Sequence, residues 1–240
     1  TISLHCFCAH FFKQLNFSIF WFMNVFKHIF LDLDRTLWDF ESNSQLELTN
    51  LYHKYKLHEK GISLVDEFIN VYKKINEECW LLYRENKLSK EHLRTVRFAQ
   101  TLEYFGIIDD SISSKIGWDY VKNSPLRTLL LDGCLELLEY LHSKYILHII
   151  TNGFEEVQFK KLSNSNLLKY FDQIITSEAV GCKKPHPEIF NYALSQSGAE
   201  LTNSVMIGDD LNTDVQGAVN IGMPCIFYNP NKISKNRFFF

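Results

Sequence analysis

Apolar and polar positions follow two different rhythms along this chain. Between residue 43 and about residue 124, apolar residues recur at three- and four-residue steps, the spacing of one helix face. Leu46, Leu48, Leu51, Tyr52 and Tyr55 predict a first amphipathic helix. Val65, Phe68, Ile69, Tyr72, Ile75, Cys79, Trp80 and Tyr83 form the stripe of a longer one over residues 64–86. A third is expected from Ser89, where Glu91 and His92 follow in a cap-like SKEH, to about Phe105, with Gly106 placed to end it. A fourth spans residues 111–122, ahead of Ser124 and Pro125. Four successive helices without strands predict a small bundle, and their aromatic stripe reads as its core.

After Pro125 the rhythm becomes helix, strand, helix, strand. Helices are expected over residues 133–145, 154–168, 187–197 and 211–221, and strands over 146–150, 173–176, 204–207 and 224–228. Ile29, Phe30 and Leu31 supply one earlier strand. The alternation implies an α/β fold, a parallel sheet with helices on both faces. The four-helix block interrupts it just after the first strand. We therefore expect a core of residues 23–42 and 125–240, with residues 43–124 inserted as a helical lid. No internal repeat or low-complexity tract is evident.

Composition adds exclusions. A net charge of −3 over 240 residues gives no reason to expect nucleic acid or an anionic membrane as partner. Six scattered cysteines, with no C-x-x-C pair, suggest neither a zinc site nor a disulfide framework, so a reducing cytoplasm is expected. Residues 1–22 are rich in Phe, Cys and His, and the first Met is Met23. Across the apolar part, residues 11–30, Lys13, Gln14, Asn16, Asn24, Lys27 and His28 argue against a membrane span and leave a membrane-targeting segment as the lesser alternative. No small-residue cleavage site precedes the strand, so residues 1–22 read as upstream sequence before a natural start at Met23.

The chemistry gathers at strand ends. In KHIFLDLDRTLWDF (residues 27–40), Asp32 and Asp34 follow a buried-strand run. Side chains alternate along a strand, so both carboxylates face one way if the strand continues through them. Two such acids are either solvated or bridged by a cation, and Mg²⁺ favours oxygen ligands of this kind. The next strand runs into Thr151, Asn152 and Gly153, which could hold a phosphate oxygen or simply form a turn and helix cap. Lys184 precedes Pro185, which biases it to an extended conformation and could aim its ammonium into the mouth of the sheet. Asp209, Asp210 and Asp214 follow the strand VMIG; one acid there could cap a helix, but three favour a metal.

Together DLDRT, ITNG, KKP and GDDLNTD resemble, in order, the motifs of the haloacid dehalogenase superfamily of aspartate-nucleophile phosphohydrolases. The resemblance spans residues 27–231 and implies a Rossmann-like core with a helical cap. The runs TLWDFESNSQ, LHIITNGFEEVQFKKLSNSNLLKYFDQIITSEAVGCKKPHPEIF and IGDDLNTDVQGAVNIGM look like the pyrimidine 5′-nucleotidase branch. That likeness implies hydrolysis of nucleoside monophosphates. It casts Asp32 as nucleophile and Asp34 as acid and base on the leaving oxygen and on water. Mg²⁺ would rest on the Asp32 side chain, the Asp34 carbonyl and Asp209. Thr151, Asn152 and Lys184 would hold phosphoryl oxygens, and Asp210 or Asp214 would be outer groups that orient water or anchor Lys184.

The pattern departs from the family twice. Arg35 stands where Gly is usual in the first motif, and the chain ends in NKISKNRFFF where relatives continue, which predicts an exposed sheet edge. A haloacid dehalogenase would not need Asp34, a sugar phosphomutase would share all four motifs, and a phosphate-binding module would tolerate their loss. Phe40, Asn43 and residues 111–114 are the candidates for the specificity surface.

Overall fold

The computed structural model describes residues 25–230 and the strand Phe238–Phe239. The expected upstream extension and Met23 lie outside the described residues. The chain divides into two compact units, Phe40–Thr128 and the remainder, Thr1–Asp39 with Leu129–Phe240.

The larger unit is built on a sheet in the order β3-β2-β1-β4-β5-β6. Strand β1 (His28–Leu31) lies between β2 (Ile146–Thr151) and β4 (Ser204–Gly208), parallel to both. All four of its residues are buried, which is why its sequence is a continuous run without alternation. Strand β3 (Phe171–Thr176) extends the sheet beyond β2, and β5 (Cys225–Phe227) extends it beyond β4, both parallel. The strand order reverses between β1 and β4, so a crevice opens at their carboxyl ends, where open α/β sheets bind ligands. Against the expectation of an exposed edge, β6 (Phe238–Phe239) pairs antiparallel with Cys225 and Ile226 of β5.

Phe30, Ile150, Ile175, Phe190, Met206, Val215 and Met223 share one core. In chain order within this unit, helix α5 (Cys134–His142) precedes β2 and α6 (Glu155–Asn164) follows it. The expected continuation of α6 to residue 168 fails because Asn166 adopts a left-handed φ of 56°, and Leu167 N–H turns back to Leu162 O. A short helix not anticipated from sequence, α7 (Ser177–Val180), is capped by the Thr176 hydroxyl. Helix α8 (Pro187–Ser197) opens on a proline, whose missing N–H would be unpaired there in any case.

The segment predicted as one helix over 211–221 is instead a π-turn (Leu211–Val215) leading into α9 (Gln216–Asn220). Asp210 O accepts from both Asp214 N and Val215 N, at 3.0 and 3.2 Å, and its carboxylate caps Asn212 and Thr213. Such widened turns recur at functional sites.

The smaller unit holds α1 (Phe40–Lys54), α2 (Val65–Arg84), α3 (Lys90–Tyr104) and α4 (Asp110–Asn123). Ser89 caps α3 by accepting from His92 N–H, and Gly106, at φ 75°, follows its end. Asp109 caps α4 through Ile112 N–H, which starts it a turn position earlier than Ser111. Its core contains Leu48, Leu51, Phe68, Tyr72, Phe98 and Tyr120. The buried Arg97 is compensated by Asn76 Oδ1 at 2.8 Å and by the Tyr120 ring 5.0 Å away. No helix among the described residues is long and apolar enough to cross a membrane. Among the described residues, Cys79, Cys134, Cys182 and Cys225 are not joined in disulfides.

Candidate active site

Asp32 is the residue just beyond β1, and its N–H still donates to Ile207 O of β4 at 3.0 Å. Asp209 follows β4 immediately. The paired strands therefore deliver two carboxylates to the two lips of the crevice. Thr36 Oγ1 donates to Asp209 Oδ1 at 3.1 Å. The chain between Asp32 and Thr36 turns sharply at Arg35, whose φ of 63° is in the left-handed region. A side chain in that conformation costs about 1–2 kcal/mol.

Lys184 is buried and donates three ways: to Asp32 Oδ1 at 2.5 Å, Ile150 O at 2.7 Å and Asp214 Oδ1 at 2.7 Å. The Lys184–Pro185 peptide is cis. Asn152 fixes the same residue from its main chain, with Oδ1 accepting from Lys184 N–H at 2.8 Å and Nδ2 donating to Lys184 O at 3.0 Å. Both ends of this carboxamide are thus occupied by a peptide group. One Nδ2 hydrogen and the Oδ1 of Asn152 are thereby engaged with Lys184.

One ammonium faces too much negative charge. Oxygen atoms of Asp32, Asp209 and Asp214 lie within 4.8 Å of one another. Burial, then the neighbouring Asp214 and Asp209, raise the Asp32 carboxyl well above the carboxylate range, although Lys184 opposes them. Burial and Asp214 push Asp209 up to about 7, against the pull of Arg35, Thr36 and Lys184. Burial alone would depress Lys184, but Asp214 and Asp32 outweigh it and the net shift is upward. Three oxygen donors crowded without enough cationic charge are a donor set that fits a hard divalent cation. Gly208 is needed for this crowding, because a Cβ there would lie 2.2 Å from Asp214 Oδ2.

Asp214 is held by Lys184 and by Asp210 N–H, which donates to its Oδ2 at 3.1 Å. Asp210 turns away and spends its carboxylate on helix capping, accepting from Asn212 and Thr213 N–H at 2.7 and 3.3 Å. The Asp34 carboxylate also leaves the acidic cluster. Its Oδ1 accepts from Lys161 Nζ at 2.6 Å, and its Oδ2 from Gln158 Nε2 at 2.9 Å. Thr151 Oγ1 accepts from Gln158 Nε2 at 2.7 Å and from Gly153 N–H at 3.1 Å.

Asp32, Lys184, Asp209 and Asp214 thus meet at one point, and Asp34 and Thr151 meet on Gln158. Gln158 and Lys161 were not singled out from the sequence. In the smaller unit, Asn43 and Ser113 are buried, Ser111 is exposed, and Phe40 opens α1.

Comparison with known proteins matches residues 26–222 to the haloacid dehalogenase-like hydrolase family. The chain is 30% identical to the HAD-hydrolase YfnB of Bacillus subtilis, over 87% of this chain and 86% of that one. A crystal structure of YfnB bound to magnesium superposes with a TM-score of 0.78 at 28% identity, covering 86% of this chain and 90% of that chain. The pyrimidine 5′-nucleotidase PynA of Streptococcus pneumoniae is 30% identical over 88% of this chain and 87% of its own. A glyceraldehyde 3-phosphate phosphatase of Methanothermobacter thermautotrophicus reaches 38% identity, but over only 39% of this chain and 41% of that one.

Proposed function

Because the chain belongs to the haloacid dehalogenase-like hydrolases, we propose that it is a Mg²⁺-dependent phosphatase acting on nucleoside 5′-monophosphates, chiefly pyrimidine ones. The observation that carries the phosphatase reading is the buried Asp32 carboxylate, fixed by Lys184 at the crevice where β1 and β4 end. The nucleotide reading is supported by likeness to PynA, 30% identical over most of both chains.

In this reading an Asp32 oxygen attacks phosphorus, and the bond from phosphorus to the ester oxygen breaks as an aspartyl-phosphate forms. Asp34 gives a proton to the departing oxygen, then removes one from the water that attacks phosphorus and frees Asp32. Lys184 and the Thr151 hydroxyl hold phosphoryl oxygens, while Asn152 keeps Lys184 in place. Asp32, the Asp34 carbonyl and Asp209 would hold Mg²⁺, which when bound would screen the charge of the nucleophile from that of the phosphate. Asp214 anchors Lys184, and Asp210 shapes the turn that presents Asp214. The expected compartment is the cytoplasm, where the substrate class occurs.

The test is phosphate release from a panel of nucleoside monophosphates and sugar phosphates with Mg²⁺, comparing wild type with Asp32→Asn. Release from UMP or dTMP, abolished by the substitution and by EDTA, is the expected result. Release from sugar phosphates alone would keep the chemistry and reject the nucleotide. A folded protein that hydrolyses no phosphoester would reject both.

A further inference from the structure

Two buried side chains that the proposed chemistry leaves unused converge on Asp34. Lys161 is 4% exposed and Gln158 fully buried. A lysine so placed is retained only when its charge is matched, and Asp34 Oδ1 matches it at 2.6 Å. Gln158 spends its amide nitrogen twice, on Asp34 Oδ2 at 2.9 Å and on Thr151 Oγ1 at 2.7 Å. Its Oε1 is left buried with no hydrogen-bond partner among the described residues. While Asp34 is ionised and paired with Lys161, turning the amide over would place that oxygen against a carboxylate that can only accept. The orphaned oxygen is therefore tolerated so that the nitrogen can face Asp34.

The surroundings are shaped for this arrangement. A Cβ on Gly153 would lie 2.4 Å from Gln158 Cδ, so the glycine after Asn152 makes room for the amide. Lys161 Nζ lies 4.3 Å from the centre of the Trp38 ring, which is itself 1% exposed. Both Asp34 oxygens are consequently fixed, and a single amide ties the carboxylate to the Thr151 hydroxyl.

Resting on the phosphatase reading, we propose that Gln158 and Lys161 are positioning residues for the leaving-group step, holding Asp34 in register with the Thr151 hydroxyl that binds the phosphoryl group. The proton passes from Asp34 to the ester oxygen as its bond to phosphorus breaks, and neither positioning residue gains or loses one. The cradle matters most where the leaving group is an alkoxide, as in a nucleoside monophosphate. It matters little for p-nitrophenyl phosphate, whose phenolate departs without a proton.

The experiment compares kcat/KM on UMP and on p-nitrophenyl phosphate for wild type, Gln158→Met, Lys161→Met, Lys161→Arg and Gly153→Ala, each checked for a native melting curve. The first two and Gly153→Ala are expected to lose about 10- to 100-fold on UMP through kcat, with KM held, but less than about threefold on p-nitrophenyl phosphate. Lys161→Arg should recover most of the UMP activity. Equal losses on both substrates, or no loss, would overturn the proposal. Should Lys161→Met fail to fold, Gln158→Met and Gly153→Ala decide by the same ratio. A wild type inert toward both esters would instead contradict the phosphatase reading on which this rests.

Discussion

At the scale of single residues, the crevice crowds three carboxyl groups around Lys184. Asp209 has its carboxyl pushed up to about 7 by burial and by Asp214, so it is largely protonated in mildly acidic solution. Binding a divalent cation requires that proton to leave. Apparent Mg²⁺ affinity should therefore fall as the pH is lowered through about 7, with Asp32, shifted in the same direction, adding to the pH dependence. Calorimetric titration across this range measures it, and Asp209→Asn should weaken binding and flatten the profile. An affinity independent of pH would contradict the assignment of Asp209. The acids and Lys184 were legible in sequence because each stands at the carboxyl end of an apolar run or just before a proline. Gln158 and Lys161 were not. On a helix reading EEVQFKKL they look like a solvated face, and what buries them is a partner 124 and 127 positions earlier in the chain. The hold of Asn152 on Lys184 was not legible, since it depends on a residue 32 positions away.

Among the elements, β2 contains a polar residue that its apolar reading passed over. His148 is fully buried, with Nε2 3.1 Å from His28 Nδ1 of β1 and its ring stacked on Phe30 at 4.7 Å. Burial and the neighbouring His28 lower it to about 4, with Asp172 opposing. The folded protein thus keeps His148 neutral while the unfolded chain protonates it near its ordinary value of about 6.5. Its contribution is present above that value and is lost as pH falls from about 6.5 to 4, amounting to about 3 kcal/mol. The acids of the crevice shift the other way and gain stability over part of the same range, so the test is a difference. Denaturant unfolding at neutral and mildly acidic pH should show wild type losing more stability than His148→Gln, and equal losses would refute the assignment. Strand positions were legible because a parallel sheet buries both faces and leaves continuous apolar runs. The exits were harder to read. The π-turn at Leu211–Val215 arises from Asp210 capping, and the end of α6 arises from left-handed Asn166; periodicity registers neither.

For the molecule as a whole, the change of period near Pro125 carried the fold class, since helical spacing before it and strand–helix alternation after it predict two kinds of unit. The units divide at Phe40–Thr128, a few residues outside the 43–124 stretch read from periodicity, because α1 begins directly after the sharp turn at Arg35 and Trp38. Everything the proposed reaction needs from Asp32 to Asp214 lies in the larger unit, while the substrate's identity rests on features that the motifs do not encode. The account's central claim is that Asp32 is the nucleophile. Its most direct test is to mix wild type with a slowly turned-over phosphoester and Mg²⁺, quench in acid within the first turnover, and map the phosphoryl group by peptide mass. The account predicts a hydroxylamine-labile phosphoryl group on the peptide bearing Asp32, absent from Asp32→Asn. Steady turnover with no phosphoryl group on that peptide would contradict it.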